Sequence, residues 1–352
     1  MWATLCVFVD FVWVYMYWKL LQISDLTKED FMAKNFEKAC VIGGGVIGSS
    51  FTLLFAMGNM DVVSYNRSLK SEAKTKKIIE KYVDELIEKR VVAEDKETIL
   101  SRISYTTNEQ EAIEFADIVE ECIPENYDVK KEFVKVFEKY AKPDAVLCSA
   151  TSGLLVTKIA EDAERPERIF GAHPYNPPHL IPLIEISQGE KSDPETANTL
   201  RELFTRLGKK PIVIRNEVPG FIANRLQAVV LREMMDLVDK GVVSMEDCET
   251  ALTFGPAIRW AIMGPGQIFE LGGGEHGLQG LLDHIGPSME TWLEDAATWT
   301  KFTDEIKKKT VDGVHEAIKN RPKDIGNTHE SLAKYRDGML VEILRLHKDY
   351  KI

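Results

Sequence analysis

The sequence predicts an α/β fold in which a doubly wound parallel sheet is followed by a mainly α-helical C-terminal domain. Three observations lead to this prediction: a glycine-rich turn between an apolar strand and a helical stretch, a series of short apolar runs, and a change to long helical patterns near residue 216. Strands that alternate with helices are typical of parallel sheets. We place the two domains at residues 32–216 and 217–352, after an apolar N-terminal extension over residues 1–31.

The elements follow one another along the chain. The first strand ends at Ile42, a helical stretch covers residues 46–57, and a second strand covers residues 61–66. The charged segment 68–102 reads as one or two exposed helices inserted after the second strand. Further short apolar runs, each of strand length, lie at residues 118–123, 145–149, 169–172, 183–186 and 211–214, with a helical pattern at 127–140. Long helical patterns begin at residues 221–240, and no later stretch reads as a strand.

The glycine-rich turn predicts a Rossmann-type dinucleotide site. Gly43, Gly45 and Gly48 have the G-x-G-x-x-G spacing. The first glycine allows a tight turn, the second lets the backbone approach a pyrophosphate, and the third lets helix and strand pack closely. An anion at this turn would face the helix N-terminus, where free N–H groups favour negative charge. We therefore predict that Gly43, Gly45, Val46, Ile47 and Gly48 bind the cofactor.

The end of the second strand bears on the choice between NAD and NADP. NAD-binding folds usually place Asp or Glu there, to accept hydrogen bonds from the ribose 2′-OH. This chain has Asn66 followed by Arg67 and Ser68, which removes the negative charge and supplies a cation able to pair with a phosphate. Asn-Arg-Ser here also resembles the NADP-binding loop of the 6-phosphogluconate dehydrogenase group. The residues slightly favour NADP(H); the alternative is that Arg67 stacks on the adenine, giving a mixed preference.

Composition excludes several classes of protein. The chain has 352 residues, a formal net charge of −12 and no basic stripe, which argues against nucleic acid as a partner. Its five cysteines are odd in number and show no C-x-x-C spacing, so a disulfide scaffold and a zinc ribbon are excluded. We expect a reducing, cytoplasmic location and no metal site.

The N-terminal 21 residues are strongly apolar and aromatic, interrupted by Asp10 and Lys19. Their length would nearly span a bilayer, yet a charge in the middle of the segment is costly there, and no basic region precedes it. Met32 opens a natural start for a dinucleotide-binding enzyme. The favoured interpretation is an upstream extension that is not native; a membrane anchor and an interface helix remain alternatives. Membrane contact is expected only if this segment is a real anchor.

Four polar residues form a candidate catalytic group. Ser152 and His173 each follow a predicted strand, at the sheet edge where ligands bind in open α/β folds. Glu185 shares a strand face with apolar side chains, so it should be partly buried and needs a partner, for which His173 is suitable. Histidine exchanges protons near neutral pH, and a carboxylate on its far nitrogen fixes the tautomer. Asn224 and Ser152 can donate hydrogen bonds to an oxygen that changes between alcohol and ketone. A structural loop histidine is the alternative for His173.

At these residues the chain resembles the 3-hydroxyacyl-CoA dehydrogenase family. The motifs VIGGGVIG, VEECIPEN, SATSGLL, GAHPYNPPHLIPLIEI and EVPGFIANRL keep the family's order and spacing over residues 38–226. The resemblance implies that His173 is the general base, that Glu185 orients it, and that Ser152 and Asn224 bind the substrate oxygen. It also implies an NAD(H) cofactor and a homodimer formed through the C-terminal domain.

The same resemblance extends to two further residues. It implies that Glu125 and Lys130 lie near the nicotinamide ribose of the cofactor. One departure from the family pattern is Ala150, where acyl-CoA members usually have Asn; the change slightly weakens an acyl-CoA assignment.

Within the family, the branch of L-carnitine dehydrogenases is most similar, through TSGLL, the HPYNPPHLIPLIEI run, RWAIMGPGQIFELGGGEHGL and KYRDGMLVEI. This resemblance implies a small free L-3-hydroxy acid with a trimethylammonium group, a cation that aromatic faces bind. Aromatic residues that could form such a cage, or simply pack between helices, are Trp260, Phe269, Trp292 and Trp299.

Other functions stay open. A short-chain 3-hydroxyacyl-CoA thioester is the second hypothesis for the substrate, and it needs a basic channel for the CoA phosphates. Lysines of the inserted helix that could line such a channel are Lys70, Lys74, Lys76 and Lys77. A sugar acid such as L-gulonate is a third hypothesis. A non-catalytic dinucleotide-binding sensor is the alternative from another functional class.

Overall fold

A computed structural model describes residues 36–348 and residue 350. The apolar N-terminal segment lies outside the described residues. Within the part of the chain that is described, no helix is both long enough and apolar enough to cross a bilayer.

One sheet of eight strands organises the first part of the chain. The strands are β1 (Lys38–Ile42), β2 (Asp61–Tyr65), β3 (Ile103–Thr106), β4 (Ile118–Glu121), β5 (Val146–Ser149), β6 (Ile169–Pro174), β7 (Leu183–Gln188) and β8 (Lys210–Ile214). Their spatial order is β3-β2-β1-β4-β5-β6-β7-β8. The first six strands are parallel, β7 runs antiparallel to β6, and β8 is parallel to β7. The order changes direction between β1 and β4, and ligands bind at such a switch point in open α/β sheets.

Helices surround and follow the sheet. They are α1 (Val46–Met57), α2 (Leu69–Glu88), α3 (Lys96–Ser101), α4 (Glu109–Phe115), α5 (Tyr127–Tyr140), α6 (Val156–Ile159), α7 (Pro194–Arg206), α8 (Ala223–Asp239), α9 (Met245–Leu252), α10 (Ile258–Trp260), α11 (Pro265–Gly272), α12 (Gly277–Asp295), α13 (Asp304–Asn320) and α14 (His329–Leu346). The predicted doubly wound sheet followed by a helical region is confirmed. The change from strands to helices falls between Ile214 and Ala223; the domain boundaries themselves stay a prediction.

The core lies against both faces of the sheet. On one face, Phe133 and Phe137 of α5 pack with apolar side chains such as Val119 and Leu147 of the central strands. These phenylalanines are four residues apart, so they share one face of their helix. Asn126 caps the N-terminus of α5 by accepting from the backbone N–H of Val129. This packing holds the ends of β4 and β5 in place for the polar residues that follow them.

Several elements escaped the sequence analysis. The short strand β3 was not predicted, because its four residues lie at the sheet edge and only Ile103 is buried. The helices α4 and α7 were also not predicted. Helix α7 has an unambiguous start, since Asp193 accepts from the N–H of Thr196 and Pro194 occupies the first turn. These signals were present in the sequence, and the prediction did not use them.

The helices α10, α11 and α12 contain no buried residue, and all of their residues are described. Large apolar side chains are instead exposed there, with Leu271 at 69%, Trp292 at 62% and Leu293 at 70%. Exposed apolar side chains on three successive helices are a candidate for a protein-interaction face.

Candidate functional site

His173 and Glu185 face each other across two antiparallel strands. They are directly opposed in the register of β6 and β7. The Nδ1 atom of His173 lies 2.8 Å from Oε2 of Glu185, and both side chains are buried. The carboxylate accepts the Nδ1 proton, which leaves Nε2 as the nitrogen available to a reacting group. The partner that the sequence analysis expected for Glu185 is confirmed.

The other oxygen of Glu185 binds the N-terminus of α8. Oε1 accepts the backbone N–H groups of Ile222 and Ala223, at 2.9 and 3.0 Å. Burial alone would raise the pKa of Glu185, but the hydrogen bonds from His173 and from these two N–H groups outweigh it and lower the pKa below its usual value. Glu185 is therefore a carboxylate at neutral pH, and it links the sheet to the first turn of α8.

A second contact between the sheet region and α8 joins Ser152, which follows β5, to Asn224 in the first turn of α8. The Nδ2 group of Asn224 donates to the backbone carbonyl of Ser152 at 2.9 Å. Close by, the backbone N–H of Gly220 donates to the carbonyl of Gly153 at 3.2 Å. A Cβ atom on Gly153 would lie 2.6 Å from the Gly220 backbone, so this approach needs glycine. The four candidate catalytic residues are thus all connected to the first turn of α8. His173 is connected to it through Glu185, and Ser152 through Asn224.

Glu125 holds the turn that carries Ser152. Its Oε1 accepts the backbone N–H of Ser152 at 2.8 Å and the hydroxyl of Thr151 at 2.7 Å. The Glu125 side chain remains 43% exposed, so it can also contact a ligand.

Lys130 lies deeper than Glu125. It is buried, and its Nζ donates to both oxygens of Glu121 at 2.8 and 2.9 Å and to the Ser149 hydroxyl at 3.2 Å. A distance of 3.8 Å separates Nζ from Oε2 of Glu125. The ammonium group of Lys130 is therefore bound by protein side chains. Its expected proximity to the cofactor ribose stays a prediction.

A cavity of about 710 Å³ opens at the glycine-rich turn. Its lining includes Gly43, Gly44, Gly45, Tyr65, Asn66, Arg67, Ser71, Lys74, Cys122 and Pro124. A Cβ on Gly45 would meet nothing within 4 Å, so the backbone is open to a ligand at that point. A Cβ on Gly48 would lie 1.7 Å from the Gly43 carbonyl oxygen, so the close packing at this point requires glycine. The residues present therefore fit a dinucleotide.

Not every predicted cofactor residue lines this cavity. Val46 is half exposed and lines a separate cleft between α2 and α14, and Gly48 is buried beneath the turn. Ile47 lies in the first turn of α1. Their cofactor contacts stay predictions.

Asn66 is placed differently from a ribose-binding residue. It is 2% exposed, its Nδ2 donates to the Ser64 carbonyl and hydroxyl oxygens at 3.3 Å, and its Oδ1 accepts from the Thr75 hydroxyl at 2.7 Å. The side chain is turned into the protein, whereas Arg67 beside it is exposed and lines the cavity.

The four lysines considered for a basic channel separate into different environments. Lys74 lines the nucleotide cavity. Lys76 donates to Glu72 at 2.6 Å and lies over the Tyr105 ring. Lys70 and Lys77 are exposed on α2.

Of the four aromatic residues considered for a trimethylammonium cage, Trp299 already contacts other side chains. The indole N–H of Trp299 donates to Asp236 at 3.0 Å, and its ring packs edge-on against Phe302. Trp260 and Trp292 are exposed, and Phe269 is half-buried. The cage stays a prediction.

The sequence analysis missed two polar residues that shape the site. Glu121 holds Lys130, and Thr75 ties Asn66 to the glycine turn by approaching the Gly44 carbonyl at 3.1 Å. A signal for Glu121 was present, because a carboxylate inside a buried strand needs a partner, as was argued for Glu185. Thr75 gave no signal, since it lies in a polar helix and reaches the turn only through the tertiary fold.

Family models and known relatives match most of this chain. A family model described as the 3-hydroxyacyl-CoA dehydrogenase NAD binding domain matches residues 38–218, and the model of the C-terminal domain of the same family matches residues 220–314. The L-carnitine dehydrogenase of Bacillus cereus is 33% identical over 325 residues, covering 91% of this chain and 95% of the relative. The L-carnitine dehydrogenase of Burkholderia mallei is 34% identical over 304 residues, covering 86% and 91%.

A solved structure also resembles the chain. The crystal structure of 5-formyl-3-hydroxy-2-methylpyridine 4-carboxylic acid 5-dehydrogenase, an NAD⁺-dependent dismutase, superposes with a TM-score of 0.74 at 28% identity, covering 89% of this chain and 98% of that one. With both of its domains matched, the chain belongs to the 3-hydroxyacyl-CoA dehydrogenase family and is an oxidoreductase that acts on a CH–OH group through that family's NAD-binding domain.

Proposed function

We propose that this enzyme oxidises an L-3-hydroxy acid to the 3-oxo acid, or catalyses the reverse reaction, with His173 as the general base. One observation carries the proposal: Glu185 binds His173 with one oxygen and the first turn of α8 with the other, and Asn224 of that turn reaches Ser152. A base, its orienting carboxylate and two hydrogen-bonding groups are thereby held by one connected set of contacts, as acid–base catalysis requires.

Each of the four residues has a separate role in the proposed oxidation. Glu185 fixes the proton of His173 on Nδ1, so Nε2 accepts the proton of the substrate hydroxyl as the alcohol becomes a ketone. The negative charge of Glu185 then stabilises the imidazolium that forms. Ser152 and Asn224 donate to the substrate oxygen and hold it beside Nε2. When bound, the nicotinamide ring supplies the hydride acceptor.

We assign the cofactor to the glycine turn and its cavity. Gly43, Gly45, Val46 and Ile47 present backbone to the pyrophosphate, and Gly48 allows that approach by close packing. Glu125, which holds the Ser152 turn and stays partly exposed, contacts the nicotinamide ribose, with Lys130 behind it.

The cofactor that we propose is NADP(H) in preference to NAD(H). The strand end lacks the acidic residue that would repel a 2′-phosphate, and exposed Arg67 lines the cavity there. The family model, described as an NAD binding domain, supports a dinucleotide site in this part of the chain.

For the substrate we favour a carnitine-like free acid. The support comes from the names of relatives that cover most of this chain, L-carnitine dehydrogenases of Bacillus cereus and Burkholderia mallei. A short-chain 3-hydroxyacyl-CoA is the alternative, since a relative of Gibberella moniliformis named 3-hydroxyacyl-CoA dehydrogenase is 29% identical over 320 residues. The separation of the α2 lysines favours the free acid, because it leaves no single basic channel among the lysines considered.

We also propose a cytoplasmic homodimer. The apolar faces of α10, α11 and α12 are the support for the dimer, since a second copy would cover them. Free thiols at Cys40, Cys122, Cys148 and Cys248 suit a reducing compartment.

The experiment is a spectroscopic assay of cofactor reduction. L-carnitine, L-3-hydroxybutyryl-CoA and L-gulonate are each offered with NAD⁺ and with NADP⁺. We expect turnover of L-carnitine; turnover of the thioester or of the sugar acid alone would replace the substrate assignment. A His173→Ala variant should lose on the order of 10³-fold in kcat and retain cofactor binding. His284→Ala, an exposed histidine of α12, is the control. An unchanged rate in His173→Ala would remove His173 as the base, and the absence of any turnover would favour the non-catalytic sensor.

A further inference from the structure

The side chain of Asn66, the first residue after β2, is not free to bind a ribose hydroxyl. Asn66 donates to Ser64 and accepts from Thr75, so its amide is committed to protein partners. A Cβ on Gly44 would lie only 2.3 Å from the Asn66 oxygen and 1.7 Å from the Thr75 hydroxyl, so this network packs directly beneath the glycine turn. Asn66 therefore supports the turn, and cofactor selection falls to its neighbours.

Two cations occupy the adjoining wall of the cavity. Arg67 follows Asn66 directly, and Lys74 projects from the second turn of α2, with Ser71 one turn before it. Ser71 and Lys74 are three residues apart, which places them on one helix face. Both cations are exposed, and no ion pair of either is described in residues 36–348 and 350, so their charge is available to a ligand.

The carboxylates that line the same cavity do not cancel this charge. Glu132 forms an ion pair with Lys135 at 2.6 Å. Glu109 remains as one opposing charge against two cations. An otherwise acidic protein, with a net charge of −12, thus presents a locally basic wall beside its nucleotide turn.

We propose that Arg67 and Lys74 form a subsite for the 2′-phosphate of NADP(H), a phosphate monoester on the adenosine ribose. The inference rests on the proposed nicotinamide-cofactor function and adds Lys74 to it as a specificity residue. A guanidinium binds a phosphate through two parallel hydrogen bonds, and an ammonium adds a second charge without fixed geometry. An adenosine that lacks this phosphate leaves both cations in water and gains nothing from them.

The test is a set of equilibrium titrations with NADP⁺ and NAD⁺, on the full chain and on Arg67→Ala, Lys74→Ala and Lys77→Ala. Lys77 is an exposed lysine of the same helix outside the cavity lining, so it is the matched control. We expect wild type to bind NADP⁺ more tightly. The Arg67 and Lys74 variants should each weaken NADP⁺ binding about tenfold and NAD⁺ binding less than twofold, while Lys77→Ala changes neither. The preference should also shrink as ionic strength rises.

Three results would overturn the proposal. The first is wild-type binding of NAD⁺ at least as tight as that of NADP⁺. The second is an equal loss of binding for both cofactors in a Lys74→Ala protein whose melting temperature is unchanged. The third is displacement of bound NADP⁺ by coenzyme A that depends on Arg67 and Lys74, which would assign the subsite to the 3′-phosphate of coenzyme A. Because binding needs no turnover, a failed oxidation assay would count against the proposed reaction alone.

Discussion

Glu185 makes its bond to His173 with one carboxylate oxygen, Oε2 at 2.8 Å, and reserves the other for the N–H groups of Ile222 and Ala223. The same side chain therefore sets the histidine tautomer and anchors the helix that presents Asn224. A displacement of α8 relative to the sheet would act on His173 through Glu185. Glu185 therefore constrains His173 and the first turn of α8 together.

Replacing Glu185 by Gln should impair catalysis while changing its pH dependence. Because the pKa of Glu185 is lowered, the substitution removes a full negative charge at neutral pH. We expect kcat to fall about 100-fold or more, and the acidic limb of the kcat/KM profile to move to lower pH, since the imidazolium loses its stabilising neighbour. The matched control is Glu190→Gln, an exposed acid five residues further on. A rate loss with an unshifted profile would mean that Glu185 serves the fold alone.

Lys209 should make stability rise with pH. Its Nζ is buried and donates to the carbonyl oxygens of Pro178 and Ile181 at 2.5 and 2.9 Å, and burial lowers its pKa from 10.5 to about 7. Between these values the unfolded chain binds a proton that the folded chain does not, so the free energy of unfolding increases with pH, by about 1 kcal/mol per unit. Lys209→Met binds no proton in either state and should lose this slope in denaturation experiments from pH 7 to pH 10.

Lys191→Met, at an exposed position, should keep the wild-type slope. If Lys209→Met and wild type show parallel dependence on pH, Lys209 is charged in the folded protein and its ammonium is fully stabilised by the two carbonyl groups.

Asn66→Asp should destabilise the fold. The substitution replaces an N–H donor, now 3.3 Å from the Ser64 carbonyl, by an oxygen that repels it, at a position that is 2% exposed. We expect the free energy of unfolding to fall by about 2 kcal/mol, because a buried polar group loses its partner. Thermal unfolding measures the effect, and Asn198→Asp on the exposed face of α7 is the control. Equal melting temperatures for the two variants would show that the inward network contributes little.

The apolar face of the C-terminal helices should be an interface between two copies. Leu271 and Leu293, at 69% and 70% exposed, are replaced together by Glu. We expect wild type to elute at twice the chain mass and the double variant at the mass of one chain, because two charges in an apolar interface cost several kcal/mol. Leu69→Glu, 75% exposed on α2, is the control and should leave the dimer intact. A monomeric wild type, or a dimer that tolerates both charges, contradicts this interface.

Local signals in the sequence were sufficient to predict the α/β fold and one polar contact of the candidate site. The G-x-G-x-x-G turn lies between β1 and α1 as its spacing demands, because glycine conformation and helix-start geometry are properties of a few adjacent residues. The pairing of Glu185 with His173 was also predictable, since a carboxylate on an apolar strand face needs a nearby partner. The edge strand β3 was not predicted, because the formation of a short, half-exposed strand depends on pairing with its neighbour more than on its own residues.

Contacts between distant segments decided the rest. The direction in which Asn66 turns depends on Thr75, and Lys130 is hidden by Glu121 and Ser149 on two neighbouring strands. The second partner of Glu185 is a helix start 37 residues away. By itself the sequence determined which residues carry donors, acceptors and charges. Only the tertiary structure decided which of them satisfy one another in the interior and which remain free to meet a ligand, because a buried polar group must find its partner wherever the packed chain places one.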